Sequence, residues 1–213
     1  MPPVKTTPPA RKTPTALTRP FDPARAADYP AVVGCDEVGR GALCGPVVVA
    51  AVWFDPVAIP PALLAALDDS KRVPEPIRAQ LAPLIRAHAR VAVSAGSRAL
   101  IDRINIRAAT LDAMARAVAR LGIAAPVLVD GRDALPGLPG RAVVCGDALV
   151  PQIAAASIVA KVFRDDLMRR LATRHPGYGW ERNVGYGTAL HRAGLTTLGR
   201  SPHHRLSFTR GFG

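Results

Sequence analysis

The run Val32-Val33-Gly34-Cys35-Asp36-Glu37-Val38-Gly39-Arg40-Gly41 opens as an apolar strand and closes on two acids and a glycine-flanked arginine. Burying a carboxylate without a partner is costly, so acids at the tip of an apolar strand need a reason to be there. The pattern recurs twice: Val127-Leu128-Val129 runs into Asp130, and Val143-Val144-Cys145-Gly146 runs into Asp147. Three strand ends presenting four carboxylates predict one converging cluster. Such a cluster repels itself unless a divalent cation neutralises it, and hard oxygen ligands suit Mg²⁺ or Mn²⁺. A nuclease-type pair of ions, about 3.5–4 Å apart, is the chemistry that this donor set suits.

Neighbouring residues on a regular strand point to opposite faces, so Asp36 and Glu37 reach one cluster only if the strand ends or bulges there. The glycines at 39 and 41 permit such a break and let the main chain approach a ligand closely. A dinucleotide fingerprint is excluded. Its third glycine would fall on Cys44, and Gly45-Pro46 leads into a strand where that motif needs a helix.

Working outward, the short β-branched runs Val32 to Asp36, Val47 to Phe54, Arg90 to Ser94, Pro126 to Asp130 and Ala142 to Cys145 read as five strands. Apolar residues from Ile104 to Leu121 recur at helical spacing and are closed by Gly122. A second helix fits Pro151 to Thr173, with Pro151 near its first turn and Pro176-Gly177 as its stop. The first two strands are close enough for a hairpin, and the later ones need crossovers. The expected class is α/β, a mixed five-stranded sheet flanked by helices.

The 213 residues carry 28 Lys+Arg against 16 Asp+Glu, a net +12 that calls for a polyanionic partner. Residues 161–213 hold ten of those cations and four of the five histidines. Met1 to Pro30, with eight prolines and five Lys/Arg, reads as a flexible basic arm ahead of a single domain over 31–213. Cys35, Cys44 and Cys145 fit neither a disulfide framework nor a zinc finger, and read as reduced thiols of a cytoplasmic protein. Ala42 to Phe54 is too short and too broken to span a bilayer, so no membrane is expected.

The chain resembles the ribonuclease HII family. The signature Asp36-Glu37-Val38-Gly39-Arg40-Gly41 stands unbroken. After it come, in the family's order, Asp69-Ser70-Lys71, Ile101-Asp102 with Asn105-Ile106, Val129-Asp130-Gly131 and Gly146-Asp147, then Ala155 to Lys161 with Arg164-Asp165, Gly185-Tyr186-Gly187-Thr188 and His204-Arg205. The resemblance implies a ribonuclease H-like fold with a helical C-terminal extension over about 174–213. It also implies an endonuclease cutting RNA in RNA–DNA hybrids and 5′ of ribonucleotides embedded in DNA, leaving 3′-hydroxyl and 5′-phosphate ends; nothing in the sequence demands more than a monomer. By it Asp36, Glu37, Asp130 and Asp147 would hold two Mg²⁺ or Mn²⁺ ions. Gly39, Arg40 and Gly41 would read the ribose 2′-hydroxyl, and Tyr186 would pack on the neighbouring deoxyribose. Lys71, Lys161 and Arg164 would contact phosphates.

Two positions depart from the family pattern. Cys145 stands where lysine is usual before Gly-Asp, and Asn183-Val184 stand where His-Lys is usual before Gly-Tyr; each exchange removes a cation near the expected substrate path. His203-His204 is read as solvated or phosphate-facing rather than as a metal pair, and Ser157 and Lys161 as helix packing and phosphate contact. The competing class is a non-catalytic nucleic-acid binder. A related ribonuclease HIII is disfavoured, because the arm has no room for that family's folded N-terminal domain.

Overall fold

In the computed structural model, which describes residues 21–212, a five-stranded sheet has the order β3-β2-β1-β4-β5. Its strands are β1 (Val33–Val38), β2 (Val47–Trp53), β3 (Arg90–Gly96), β4 (Val127–Asp130) and β5 (Gly140–Val143). β1, β2 and β3 pair antiparallel, whereas β4 runs parallel to β1 and β5 parallel to β4. The helices are α1 (Pro61–Ala66), α2 (Glu75–His88), α3 (Arg98–Ile104), α4 (Ile106–Leu121), α5 (Pro151–Arg174), α6 (Trp180–Asn183) and α7 (Ala189–Leu198). This is the expected mixed α/β sheet with a helical C-terminal region.

Strand alternation divides the core in two. Val48, Ala50 and Val52 face α5 and α2, while Val33, Cys35, Val49 and Ala51 face α4. Helix α5 is buried on all sides from Pro151 to Ala160, and its alanines let the sheet come close. The approach is tightest at Gly34, where any Cβ would collide with the backbone of Gln152 and Ile153.

Several boundaries differ from expectation. The periodic run taken as one helix from Ile104 is two. Asn105, at φ 69°, ends α3 and caps α4, its side-chain oxygen accepting from the Ala108 amide at 3.0 Å. Helices α1 and α2 escaped the periodicity, α2 because Pro76 and Pro83 interrupt its pattern. The expected arm is too long by at least ten residues: Phe21 is buried in the core beside α1 and α2, Pro23–Asp28 forms a 3₁₀ turn, and Tyr29 meets Phe21 edge-on at 5.5 Å. An aromatic pair on an apolar face outweighs proline-rich composition. Residues 1–20 of that arm lie outside the described residues.

Candidate active site

The expected break between Asp36 and Glu37 is absent. Strand β1 continues in register through both, opposite Ala50 and Val49 of β2. The separation occurs on its other side, where pairing with β4 stops at Cys35 opposite Val129. Beyond that point β1 and β4 part, and the crevice outside the carboxyl ends of parallel strands is where α/β sheets place ligands. The two acids therefore straddle the sheet. Glu37 lines a small cleft on the α4 side with Arg107, Thr110 and Asp130, while Asp36 opens with Glu37 into a larger cleft of about 470 Å³. That cleft is also lined by Gly39, Arg40, Gly41, Ser70, Lys71, Lys161 and Tyr186.

Asp130 ends β4, where its Oδ1 accepts from the Gly146 amide at 2.7 Å. This bond ties Asp130 to the short 3₁₀ turn Gly146–Ala148 that carries Asp147. The strand expected to run through Cys145 stops at Val143; Cys145 is exposed and left-handed, at φ 57°. Asp36 is buried, and among the described residues its Oδ1 accepts from the Glu37 amide, at 2.7 Å.

The electrostatics are those of carboxylates buried beside one another. Burial, then the charges of Glu37 and Asp130, hold the Asp36 carboxyl well above the usual carboxylate range. Burial also raises Glu37, with Arg40 at 3.5 Å acting the other way. Asp147 is pushed up to about 6, first by burial and then by the neighbouring Asp69 and Asp130. Asp69 belongs to a motif the sequence displayed, but its place beside Asp147 was not foreseen; an acid in a turn gives no sign of what it will face.

All four side chains offer oxygens, and the charge of Asp130 presses on Asp36, Glu37 and Asp147 alike, as among residues that hold a divalent cation. Among the described residues no three of these carboxylates bring their oxygens all within 4.8 Å of one another, so the set is wider than one ion's ligand shell. The residues present fit divalent metal.

Of the three expected phosphate contacts, two open toward the cleft. Lys71 is exposed, with Nζ 3.7 Å from Asp69, and Lys161 lines the cleft while pairing with Asp165 at 2.7 Å. Ser157 accepts from the Ser70 amide at 3.2 Å and so pins the turn that carries Lys71. Arg164 is a correction. It is wholly buried, and its guanidinium donates to the carbonyls of Pro46, Val184 and Cys44 at 3.1, 2.7 and 3.2 Å, so it faces main chain and offers no exposed surface to a phosphate. It lies under Gly39, at φ 91°, where any Cβ would collide with it. Arg164 also sits 5.5 Å from the centre of the half-exposed Tyr186 ring. His204 is a second correction, being buried and hydrogen-bonded rather than solvated.

The family model described as Ribonuclease HII matches residues 33–211. The chain belongs to the ribonuclease HII family. Ribonuclease HII of Rhodospirillum rubrum is 58% identical over 83% of this chain and 83% of that protein. That of Paramagnetospirillum magneticum is 54% identical over 83% and 89%. Among solved structures, a PCNA:RNase HII complex from Archaeoglobus fulgidus has a chain 27% identical at a TM-score of 0.72, covering 84% of this chain and 96% of that one. Membership of the ribonuclease HII family makes the chain a ribonuclease H hydrolase, a metal-dependent endonuclease, with RNA in RNA–DNA hybrids as the family's substrate. Among the described residues no helix is long and apolar enough to cross a membrane.

Proposed function

We propose that this chain cuts on the 5′ side of ribonucleotides embedded in duplex DNA, as well as within RNA–DNA hybrids, by two-metal hydrolysis at Asp36, Glu37, Asp130 and Asp147. The observation that carries the reading is the parting of β1 from β4 immediately before three of these acids, with the fourth tied in through the Gly146 amide. The four carboxylates would hold two divalent ions, Mg²⁺ or Mn²⁺, whose chemistry when bound would be to activate water and offset charge on the leaving 3′ oxygen, giving a 3′-hydroxyl and a 5′-phosphate. The carboxylates hold that charge in place. Gly39, Arg40 and Gly41 present backbone and guanidinium to the ribose 2′-hydroxyl, the group that separates RNA from DNA at one sugar. Tyr186, in the same cleft, packs on the adjoining deoxyribose. Lys71 and Lys161 meet phosphates and set affinity and its salt dependence. The chain acts as a monomer in the cytoplasm, removing ribonucleotides during DNA replication and repair.

The test is cleavage of a labelled duplex containing one ribonucleotide, with Mg²⁺, Mn²⁺ or chelator, beside an all-DNA control. A metal-dependent cut 5′ of the ribonucleotide, absent from the control, is expected. Salt-sensitive binding without a cut under either metal would make the chain a nucleic-acid-binding module and the carboxylates structural.

A further inference from the structure

Residues 203–205 form a short antiparallel edge on the segment Leu43-Cys44-Gly45. Gly45 donates to the His203 carbonyl and Arg205 to the Leu43 carbonyl, both at 2.9 Å, and Leu43 in turn donates to the Gly185 carbonyl at 2.9 Å. From this edge two consecutive, fully buried side chains reach opposite halves of the cleft wall.

Arg205 donates to the carbonyls of Gly39, Arg40 and Gly45 at 2.7, 2.8 and 3.0 Å. A planar fork of donors suits three carbonyls fixed in space, which a flexible ammonium does not match. Burial, then the nearby Arg164, lower its pKa to about 10, so it stays charged near neutrality.

His204 works through a second buried histidine, and hydrogen bonding fixes the proton positions in both rings. His204 Nδ1 accepts from the Ser201 amide at 2.8 Å, so its proton sits on Nε2, which donates to His191 Nε2 at 3.0 Å. His191 Nε2 also accepts from Trp180 Nε1 at 3.0 Å, so the proton of that ring sits on Nδ1 and is donated to the Tyr186 carbonyl at 3.0 Å. Every ring nitrogen is thereby satisfied with both rings neutral. Cys44 brings its sulfur within 4.8 Å of both rings. Two N–H groups already aim at the His191 lone pair, however, which a cation at that point would have to displace.

We propose that His204 and Arg205 are positioning residues that set the Gly39–Gly41 loop against Tyr186, and so determine how strongly the enzyme prefers a ribonucleotide followed by deoxyribose. The inference rests on the proposed reading of that loop and of Tyr186. Its test is the ratio of kcat/KM for a duplex with one embedded ribonucleotide to that for a continuous RNA–DNA hybrid, in the wild type and in Arg205→Lys. Displacing a positioned group by ~1 Å costs on the order of a hundredfold, and that loss is expected on the embedded ribonucleotide, with the hybrid losing about tenfold less. An unchanged ratio, whether both substrates lose activity equally or neither does, would reduce Arg205 to a structural role and overturn the inference. If the wild type itself leaves the embedded ribonucleotide uncut, the underlying reading fails instead. Should Arg205→Lys not fold, ¹⁵N NMR of the wild-type rings decides. Protons on His204 Nε2 and His191 Nδ1 are expected, whereas the opposite tautomers, or stoichiometric zinc on Cys44, His191 and His204, would overturn the network.

Discussion

Two groups of buried charge lie on either side of the Gly39–Gly41 loop, and they are finished differently. On one side, among the described residues, Asp36 and Asp130 each receive one backbone amide on the carboxylate, and Asp147 is raised first by burial and then by its neighbours. On the other, Arg164 and Arg205 each donate three hydrogen bonds to carbonyls, and no carboxylate is among those partners. A protein that spends three main-chain bonds on a guanidinium is using that charge to build a wall. Carboxylates with this few main-chain bonds have lone pairs to offer a cation.

The sharpest way to break this contrast is to remove one charge from the open side. Asp36→Asn keeps the shape and discards a ligand. Losing ~4 kcal/mol of transition-state stabilisation lowers single-turnover cleavage about a thousandfold, with hybrid affinity changed by less than about threefold. Near-normal cleavage would mean that the four acids do not form the reacting centre.

The same contrast governs what could be read beforehand. The acids were legible because a carboxylate at the tip of an apolar strand is anomalous on local grounds, and Asp36, Asp130 and Asp147 each ended such a run. The strands and α5 were legible through their periods. What was not legible depends on partners distant in sequence. Arg164 finds its carbonyls at Pro46, Cys44 and Val184, and His204 its partner at His191; in the chain each looks like one more cation in a basic tail. The supposed bulge at Glu37 failed for a related reason. Register with β2 is a long-range property, and the acids gather at the strand ends where β1 and β4 part, without any break in β1.

Next in size is the comparison of Arg164 with Lys71, both expected from sequence to touch phosphate. Arg164→Met strands three buried carbonyls and costs about 3–5 kcal/mol, lowering Tm on the order of 10 °C. Lys71→Ala, at an exposed site, changes stability by less than about 0.5 kcal/mol but reduces the salt slope of hybrid binding by about one. A salt slope that changes with Arg164 and not with Lys71 would reverse the assignment of wall and substrate surface.

Acid titration sets the two regions against each other. Asp147 has its folded pKa raised from 3.8 to about 6, so it holds its proton more tightly in the native state. Its contribution is fully present below about 3.8 and is lost as pH rises through about 6. Burial first, then His191, lower the pKa of His204 from 6.5 to about 4, so its contribution is present above 6.5 and drains as pH falls toward 4. With chelator the two slopes oppose each other. Saturating Mg²⁺ competes with protons for the carboxylates, so Tm is expected to climb more steeply with pH in its presence. Equal slopes with and without Mg²⁺ would mean that the raised carboxyls are not where the metal binds.

The smallest expected effect tests whether the open side lacks a cation that it could use. Cys145 is exposed and left-handed at φ 57°, immediately before Gly146 and Asp147, at the position where the family resemblance leads one to look for lysine. Cys145→Lys inherits the same backbone angle and buries nothing new, so Tm stays within about 2 °C. If the side chain reaches a substrate phosphate, the salt slope of hybrid binding steepens by about 0.9 and affinity rises a few-fold at low salt. If it reaches only the carboxylates, hybrid affinity is unchanged and the apparent Mg²⁺ requirement rises, because a fixed ammonium competes for the charge the metal neutralises. The direction of that change separates a substrate path running past Cys145 from one confined to the cleft between Lys71 and Tyr186.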